Sequence, residues 1–276
     1  MYKMIKLLVL GPSGEMGKLI SKLATEDNEI ELVAALDIKN VGTKLDQLVP
    51  TSKATDLVIE DIKKLDDVIN ETEPEVAVDF TLASATEINC PILLKKGIRC
   101  VIGTTGLSEN FLSNLENLVI NNNAPTVFSP NMSTGMNVFF EISKLLARYL
   151  SEWDIEIIEA HHNRKQDSPS GTALKIAKEI SKELGVKIGE IAQFGRGYGP
   201  NKRKVGAKKE IGIHAIRAGD IVGDHIVLYG GKGERIELKH QVYSRECFAE
   251  GAIKAIKFIV NADENKIYTT KEVLDI

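Results

Sequence analysis

Over roughly its first half the chain alternates short aliphatic and β-branched runs with longer segments whose apolar positions recur at helical spacing. The runs Ile5–Leu10, Glu31–Leu36, Leu57–Ile59, Val76–Phe80, Arg99–Ile102 and Thr126–Phe128 read as strands. Between them Met16–Ala24, Ser84–Lys96 and Ser108–Asn121 read as helices. This alternation is the pattern of a parallel sheet covered by helices, an α/β arrangement.

After Asn131 the pattern changes. A long apolar-periodic segment, Thr134–Leu150, precedes the run Asp154–Ala160, a dense polar loop, His161–Gly171, and a helix, Thr172–Leu184. A Gly- and Lys-rich stretch then ends near Lys209, and three alternating runs follow: Glu210–Arg217, Asp224–Tyr229 and Arg235–Val242. These predict an antiparallel meander, so the chain switches from α/β to α+β. The last strong helix, Glu246–Val260, buries the face that carries Phe248, Ala249, Ala252, Ile253, Ile256, Ile259 and Val260. Periodicity leaves open which domain it packs on.

Composition narrows the function classes. The 276 residues, 43% hydrophobic and 27% charged, are those of an ordinary globular protein with room for a water-excluded cleft. A net charge of −4 gives no general attraction to nucleic acid or anionic lipid. The apolar start Ile5–Leu10 is too short for a signal or membrane segment, so a cytoplasmic location without membrane partners is expected. Cys90, Cys100 and Cys247 are odd in number, widely spaced and set in apolar segments, which argues for buried thiols rather than disulfides or a zinc site. The cationic cluster Asn201-Lys202-Arg203-Lys204 with Lys208-Lys209 reads as a flexible surface loop. Without interleaved aromatics it does not make a nucleic-acid patch.

Two segments carry chemistry. Gly11, Gly14 and Gly17 form G-x-x-G-x-x-G between a predicted strand and a predicted helix. Glycine tolerates positive φ and lets a backbone approach a pyrophosphate, and the helix start points free N–H groups at that phosphate. Asp37 ends the second predicted strand 20 residues after Gly17, where a ribose-binding carboxylate belongs. Gly103, Thr104, Thr105 and Gly106 close the fifth strand and fall on the same carboxyl edge. In the second segment, Glu159–Leu174, two histidines, Arg164 and Lys165 face a helix start at Ser170–Thr172. That makes a compact anion receptor suited to a small carboxylate, with histidines able to deliver protons near neutral pH. No familiar metal-ligand spacing surrounds the histidines, so no metal is expected.

Taken together, the residues resemble the 4-hydroxy-tetrahydrodipicolinate reductase family nearly end to end. The most specific element is Glu159–Leu174, E-A-H-H-x-x-K-x-D-x-P-S-G-T-A-L. Val78–Thr81, Val101–Gly106, Ser129–Asn137 and Arg217–His225 support it in the same order. The resemblance implies a Rossmann-like dinucleotide-binding domain over 1–131 and 243–276, around a central α+β substrate and tetramerisation domain over 132–242 with a mixed or antiparallel sheet. It implies a homotetramer that uses NADH or NADPH to reduce a cyclic dicarboxylate with loss of water. His161 and Lys165 match the family's proton donors, and His162, Gly171 and Thr172 its substrate-carboxylate contacts. The cofactor residues carry over to Gly11, Pro12, Ser13, Gly14, Glu15, Met16, Asp37, Gly103, Thr104, Thr105, Ser129, Pro130, Asn131 and Met132. Two departures, Glu15 where many members have Arg and Ile38 where some do, weigh against a strong preference for NADPH, and the carboxylates of Asp37 and Glu15, partly offset by Lys39, lead us to expect a moderate preference for NADH. Another Rossmann reductase, such as a homoserine or aspartate dehydrogenase, would lack the His-His-x-x-Lys and Ser-Gly-Thr constellation. A nicotinamide-sensing binding protein would have no use for paired proton donors.

Overall fold

The structure, a computed structural model, describes residues 3–49, 53, 55–203 and 210–276. In chain order the elements are β1 (Ile5–Leu10), α1 (Glu15–Glu26), β2 (Ile30–Asp37), α2 (Leu45–Leu48), β3 (Glu60–Asp61), α3 (Leu65–Thr72), β4 (Val76–Asp79), α4 (Ala83–Lys95), β5 (Arg99–Ile102), α5 (Glu109–Asn121) and β6 (Thr126–Phe128). There follow α6 (Thr134–Tyr149), β7 (Asp154–His161), α7 (Gly171–Glu183), α8 (Ile188–Ile191), β8 (Ala192–Phe194), β9 (Ile211–Arg217), β10 (Gly223–Gly230), β11 (Arg235–Val242), α9 (Glu246–Ile259), β12 (Ile267–Tyr268) and α10 (Thr270–Leu274). They divide into two compact units, Met1–Thr134 with Arg245–Ile276, and Gly135–Ser244.

The first unit is built on a seven-stranded sheet, β12-β6-β5-β4-β1-β2-β3, in which every neighbouring pair is parallel. Strand order reverses direction between β1 and β4, so a crevice opens at their carboxyl ends. Side-chain alternation along β1 shows how the sheet is covered. Leu8 and Leu10 join Leu93, Leu94, Leu115 and Val119 of α4 and α5, while Leu7 and Val9 join Ile20 and Ala24 of α1 and Ala252, Ile256 and Ile259 of α9. Each of the fully buried Leu, Ile and Val side chains stabilises the fold by about 1.5–3 kcal/mol. The C-terminal helix α9 thus packs on the first sheet. It lies so close to the segment after β6 that a Cβ on Gly251 would fall 1.7 Å from the Met132 carbonyl oxygen.

The second unit has a mixed five-stranded sheet, β11-β10-β7-β9-β8. β7, β9 and β8 run parallel, and β10 is antiparallel to both β7 and β11. The predicted antiparallel meander is therefore corrected: β10 and β11 form a hairpin, but β7 lies between β9 and β10. The connection Ala218–Val222 passes over the end of β7, where Ala218 N–H donates to the His161 carbonyl and Asn163 N–H to that of Gly219. Alternation identifies a strand and its inward face, not its neighbour. Ile155, Ile157, Ile211, Ile213, Val227 and Tyr229 face Phe139 and Phe140 of α6 and Ile176 and Ile180 of α7. On the other face Ile158, Ile216, Ile226 and Leu228 are not buried.

Other differences are local. The expected strand Leu57–Ile59 gives way to a two-residue edge strand just after it, with Val58 making only a bridge to Lys44. Short edge strands are common because they offer little template for foreign pairing. Cys90 and Cys100 are buried, but Cys247 is half-buried on α9. Of the cationic cluster, Lys204, Lys208 and Lys209 lie outside the described residues. Arg203 is no free loop residue: it pairs with Glu156 and, at 2.8 Å, with Asp154. Among the described residues no helix is long and apolar enough to cross a membrane.

Candidate active site

In the first unit the carboxyl ends of the parallel strands share one edge, and the glycine turn stands there. Gly11 adopts φ +71°, and Gly14 N–H donates to its carbonyl at 3.1 Å. A Cβ on Gly17 would lie 2.0 Å from the Gly11 oxygen, so only glycine lets α1 start against the turn. A Cβ on Gly14 would lie 3.4 Å from that oxygen, an ordinary contact, and Gly14 is exposed. Pro12 is buried, Met16 half-buried, and Glu15 exposed and paired with Arg245. Asp37 ties β2 to the turn: one carboxylate oxygen accepts from Ser13 N–H at 3.0 Å, the other from Ile38 and Lys39 N–H at 2.7 and 3.0 Å. A cavity of ≈ 350 Å³ is lined here by Gly11, Ser13, Asp37, Lys39, Phe80 and Thr81, among others.

The ends of β4, β5 and β6 complete the edge. Asp79, nearly fully buried, accepts through Oδ1 from Thr81 N–H at 2.8 Å and from the hydroxyls of Thr81 and Thr104 at 2.6 and 3.3 Å. Thr86 links Thr104 into the same network at 2.8 Å. Burial pushes the Asp79 carboxyl up, against these hydrogen bonds, and among the described residues its Oδ2 has no partner. Gly103 leaves room for the Phe80 ring, which a Cβ would meet at 2.1 Å; Thr105 is exposed. After β6 the Ser129 hydroxyl donates to the Asn131 carbonyl at 2.8 Å, Pro130 is exposed and Met132 is buried.

In the second unit a different cluster forms where β7 ends. The inward positions of β7 read Ile155, Ile157, Glu159, His161, so the strand that carries the core also carries a carboxylate and an imidazole. His161 is thus held on a strand rather than in the loop. Glu159 is fully buried and accepts from Arg217 at 2.8 Å through both oxygens, from Ser170 N–H at 2.9 Å and from His161 Nδ1 at 2.5 Å. Burial alone would raise its pKa, but the guanidinium, the imidazole and the N–H outweigh it and hold the carboxyl below its ordinary range. For His161 burial dominates, opposed by Glu159 and reinforced by Lys165 and Arg217, and its pKa falls. His225, edge-on to His161 at 5.3 Å, is pushed down to about 3, chiefly by burial.

Ser170 caps α7, its hydroxyl accepting from Ala173 N–H at 3.2 Å. Gly171 is exposed and Thr172 half-buried at the first positions of that helix. Lys165 pairs with Asp167 at 2.7 Å, and half-buried His162 has a buried Nδ1 without a hydrogen-bond partner among the described residues. The structure therefore gathers His161, Lys165 and the α7 start, while Arg164 stands apart, exposed and paired with Asp220. Glu159, Arg217 and His225 were not among the expected site residues, and Ser170 was expected only as part of the helix start. The signal for Glu159 was present: an acidic side chain at an inward position of an apolar alternation. Among the described residues no cluster has the makings of a metal site.

A parallel sheet with a glycine turn at its switch point, and a second unit with a carboxylate-backed histidine under a helix start, are the parts of a Rossmann-fold oxidoreductase. Family models place the chain more narrowly. Residues 5–132 match dihydrodipicolinate reductase, N-terminus, and residues 135–274 match dihydrodipicolinate reductase, C-terminus. The chain belongs to the dihydrodipicolinate reductase family. It is 47% identical over 272 residues to the 4-hydroxy-tetrahydrodipicolinate reductase of Methanococcoides burtonii, covering 98% of this chain and 99% of the other. With the enzyme of the same name from Methanosarcina acetivorans the identity is 44%, covering 99% and 100%. Among solved structures, dipicolinate-bound dihydrodipicolinate reductase from Paenisporosarcina sp. TG-14 aligns over 98% of both chains with a TM-score of 0.76 at 28% identity. An amine dehydrogenase from Mycobacterium smegmatis, 13% identical and covering 96% and 95%, shares the fold with a TM-score of 0.62.

Proposed function

We propose that the protein reduces 4-hydroxy-tetrahydrodipicolinate to tetrahydrodipicolinate with loss of water, at the expense of NADH or NADPH, as a cytoplasmic step of lysine biosynthesis through diaminopimelate. The observation that carries this reading is the buried Glu159–His161 pair set beside the start of α7, with Lys165 close enough to bear on His161 electrostatically. His161 and Lys165 deliver protons. His162 and the Gly171–Thr172 helix start receive the carboxylates of the substrate, for which an exposed helix N-terminus is suited.

The first unit fits a dinucleotide. The exposed Gly14 admits a pyrophosphate against the start of α1, and the adjoining cavity accepts the adenosine end. Gly11, Pro12, Ser13, Gly14, Glu15 and Met16 shape the phosphate turn. Gly103, Thr104 and Thr105, with Ser129, Pro130, Asn131 and Met132, line the edge further along. When bound, the reduced nicotinamide supplies a hydride.

Both cofactors work in this reading, with NADH preferred by about 1–2 kcal/mol, roughly tenfold in kcat/KM. Asp37 faces the ribose position and repels a 2′-phosphate, and Lys39 offsets part of that repulsion. Three backbone N–H groups already occupy Asp37, which limits how many ribose hydroxyls it can accept from. Association into a homotetramer fits the unburied Ile158, Ile216, Ile226 and Leu228 on the open face of the second sheet.

The test is substitution in the second unit alone. His161→Gln and Lys165→Ala should each lower kcat by about 10²–10⁴-fold while NADH binds as before. Near-parent kcat in both variants would overturn the assignment.

A further inference from the structure

An ionised carboxylate with no exposure is expensive to bury unless every lone pair is used. Glu159 meets that condition through four hydrogen bonds, and three of its donors come from other elements: Arg217 on β9, which makes two, and Ser170 at the head of α7. The fourth donor is His161 Nδ1. An ionised carboxylate only accepts, so Nδ1 must carry a proton and the neutral ring keeps its lone pair on Nε2. Among the described residues nothing hydrogen-bonds Nε2. Beside it stands Gly223, where a Cβ would come within 3.2 Å of that nitrogen.

The charges around the ring decide when Nε2 takes a proton. From β7 Glu159 favours the imidazolium; from the following loop Lys165 opposes it, itself paired with Asp167; from β9 Arg217 opposes it. From β10 His225 presses edge-on as a neutral ring, with His240 of β11 behind it. Burial of the ring, with Arg217 sharing the Glu159 carboxylate through both terminal nitrogens, leaves a neutral resting imidazole. A substrate that brings two carboxylates adds negative charge to this balance and favours the imidazolium.

We propose that Glu159, clamped by Arg217, is a positioning residue that fixes the Nδ1–H tautomer of His161, so that the proton His161 delivers is taken up from solvent at Nε2 as the anionic substrate binds. This rests on the reductase reading above. The balance is simple: substrate, NAD(P)H and one proton give product, NAD(P)⁺ and water. The Nε2–H bond breaks in the step, its electron pair stays on Nε2, and Glu159 remains ionised throughout.

Long-range ¹H–¹⁵N correlation spectra of the unmodified, histidine-labelled protein test the tautomer, with His161 identified by its absence from the His161→Gln spectrum. At pH 7.5 the free protein should show Nδ1 protonated and Nε2 bare; with dipicolinate added, both nitrogens should be protonated. Calorimetry of dipicolinate binding in buffers of different ionisation heat should give about one proton taken up per site, lost in His161→Gln. Glu159→Gln should abolish the uptake, lower kcat by about 10²-fold with little change in KM, and shift the alkaline limb of the kcat profile, where protonated His161 is lost, to lower pH, and Glu159→Asp should restore part of each. A free protein with Nε2 protonated, as the other tautomer or as imidazolium, overturns the proposal, as does dipicolinate binding without proton uptake. Absence of dipicolinate binding counts instead against the substrate site, while the tautomer of the free protein still decides the role of Glu159.

Discussion

Gly14→Ala and Gly17→Ala add the same methyl group three residues apart and should fail in different ways. At Gly17 the new Cβ would sit 2.0 Å from the Gly11 carbonyl oxygen, 2.7 Å from its carbon and 2.9 Å from Pro12 Cα. All three are backbone atoms, and a carbon needs about 3.5 Å, so α1 must retreat by more than an ångström from the turn. Overpacking of that kind costs about 1–3 kcal/mol. At Gly14 the Cβ finds only an ordinary contact at 3.4 Å, and φ is −75°, so the fold loses only the cap preference of glycine over alanine, under about 1 kcal/mol. The methyl group there instead stands where a pyrophosphate would approach. Urea unfolding and NADH titration on both variants separate these outcomes. Gly17→Ala should lose stability and NADH affinity together, whereas Gly14→Ala should keep its midpoint and lose affinity by tenfold or more, about 1.4 kcal/mol. A Gly14→Ala protein that binds NADH as the parent does would refute the phosphate turn.

His225 should make the fold acid-sensitive. Its native pKa of about 3 lies below the ordinary 6.5, so the unfolded chain takes the proton first, and stability present above pH 6.5 is lost as pH falls toward 3. Between pH 6.5 and 5 the loss from His225 is about 2 kcal/mol; thermal melts at pH 7.5 and 5 should show a clearly smaller loss in His225→Gln than in the parent, and equal pH dependence would contradict it. Gly251→Ala drives a Cβ to 1.7 Å from the Met132 carbonyl and should destabilise the first unit by about 1–3 kcal/mol, read as a lower urea midpoint. Lys39→Ala should impair NADPH use selectively, and that loss should shrink as salt rises because the charge is exposed; equal losses with NADH would refute the ribose-pocket reading.

The parts of this fold that local rules govern were legible in the sequence. A turn demanding Gly11 and Gly17, and the long amphipathic faces of α5 and α9, declare themselves within a few residues. Elements that exist because of pairing did not: β3, β8 and β12 are two or three residues long and owe their form to the strands beside them. The insertion of β7 between β9 and β10 is likewise a tertiary choice, invisible to alternation that marks each run as a strand equally well. In the second unit the histidines and the helix start were legible because they lie within one short segment. Arg217, 58 residues from Glu159, was not recognised as the clamp on that carboxylate, since nothing local links them. Arg203 shows the same limit, a cation in a polar stretch whose partners on β7 appear only once the sheet is formed.

What makes the protein a reductase is turnover of the cyclic dicarboxylate, which can be followed by absorbance. The purified protein is supplied with 4-hydroxy-tetrahydrodipicolinate, generated in place by the synthase that makes it, and oxidation of NADH and of NADPH is followed in parallel at the absorbance band of the reduced nicotinamide. One cofactor should be oxidised per tetrahydrodipicolinate formed, with both cofactors active, NADH favoured by about tenfold in kcat/KM, and no oxidation when the synthase is omitted. A folded protein that oxidises neither cofactor in the presence of this substrate would contradict the reductase reading.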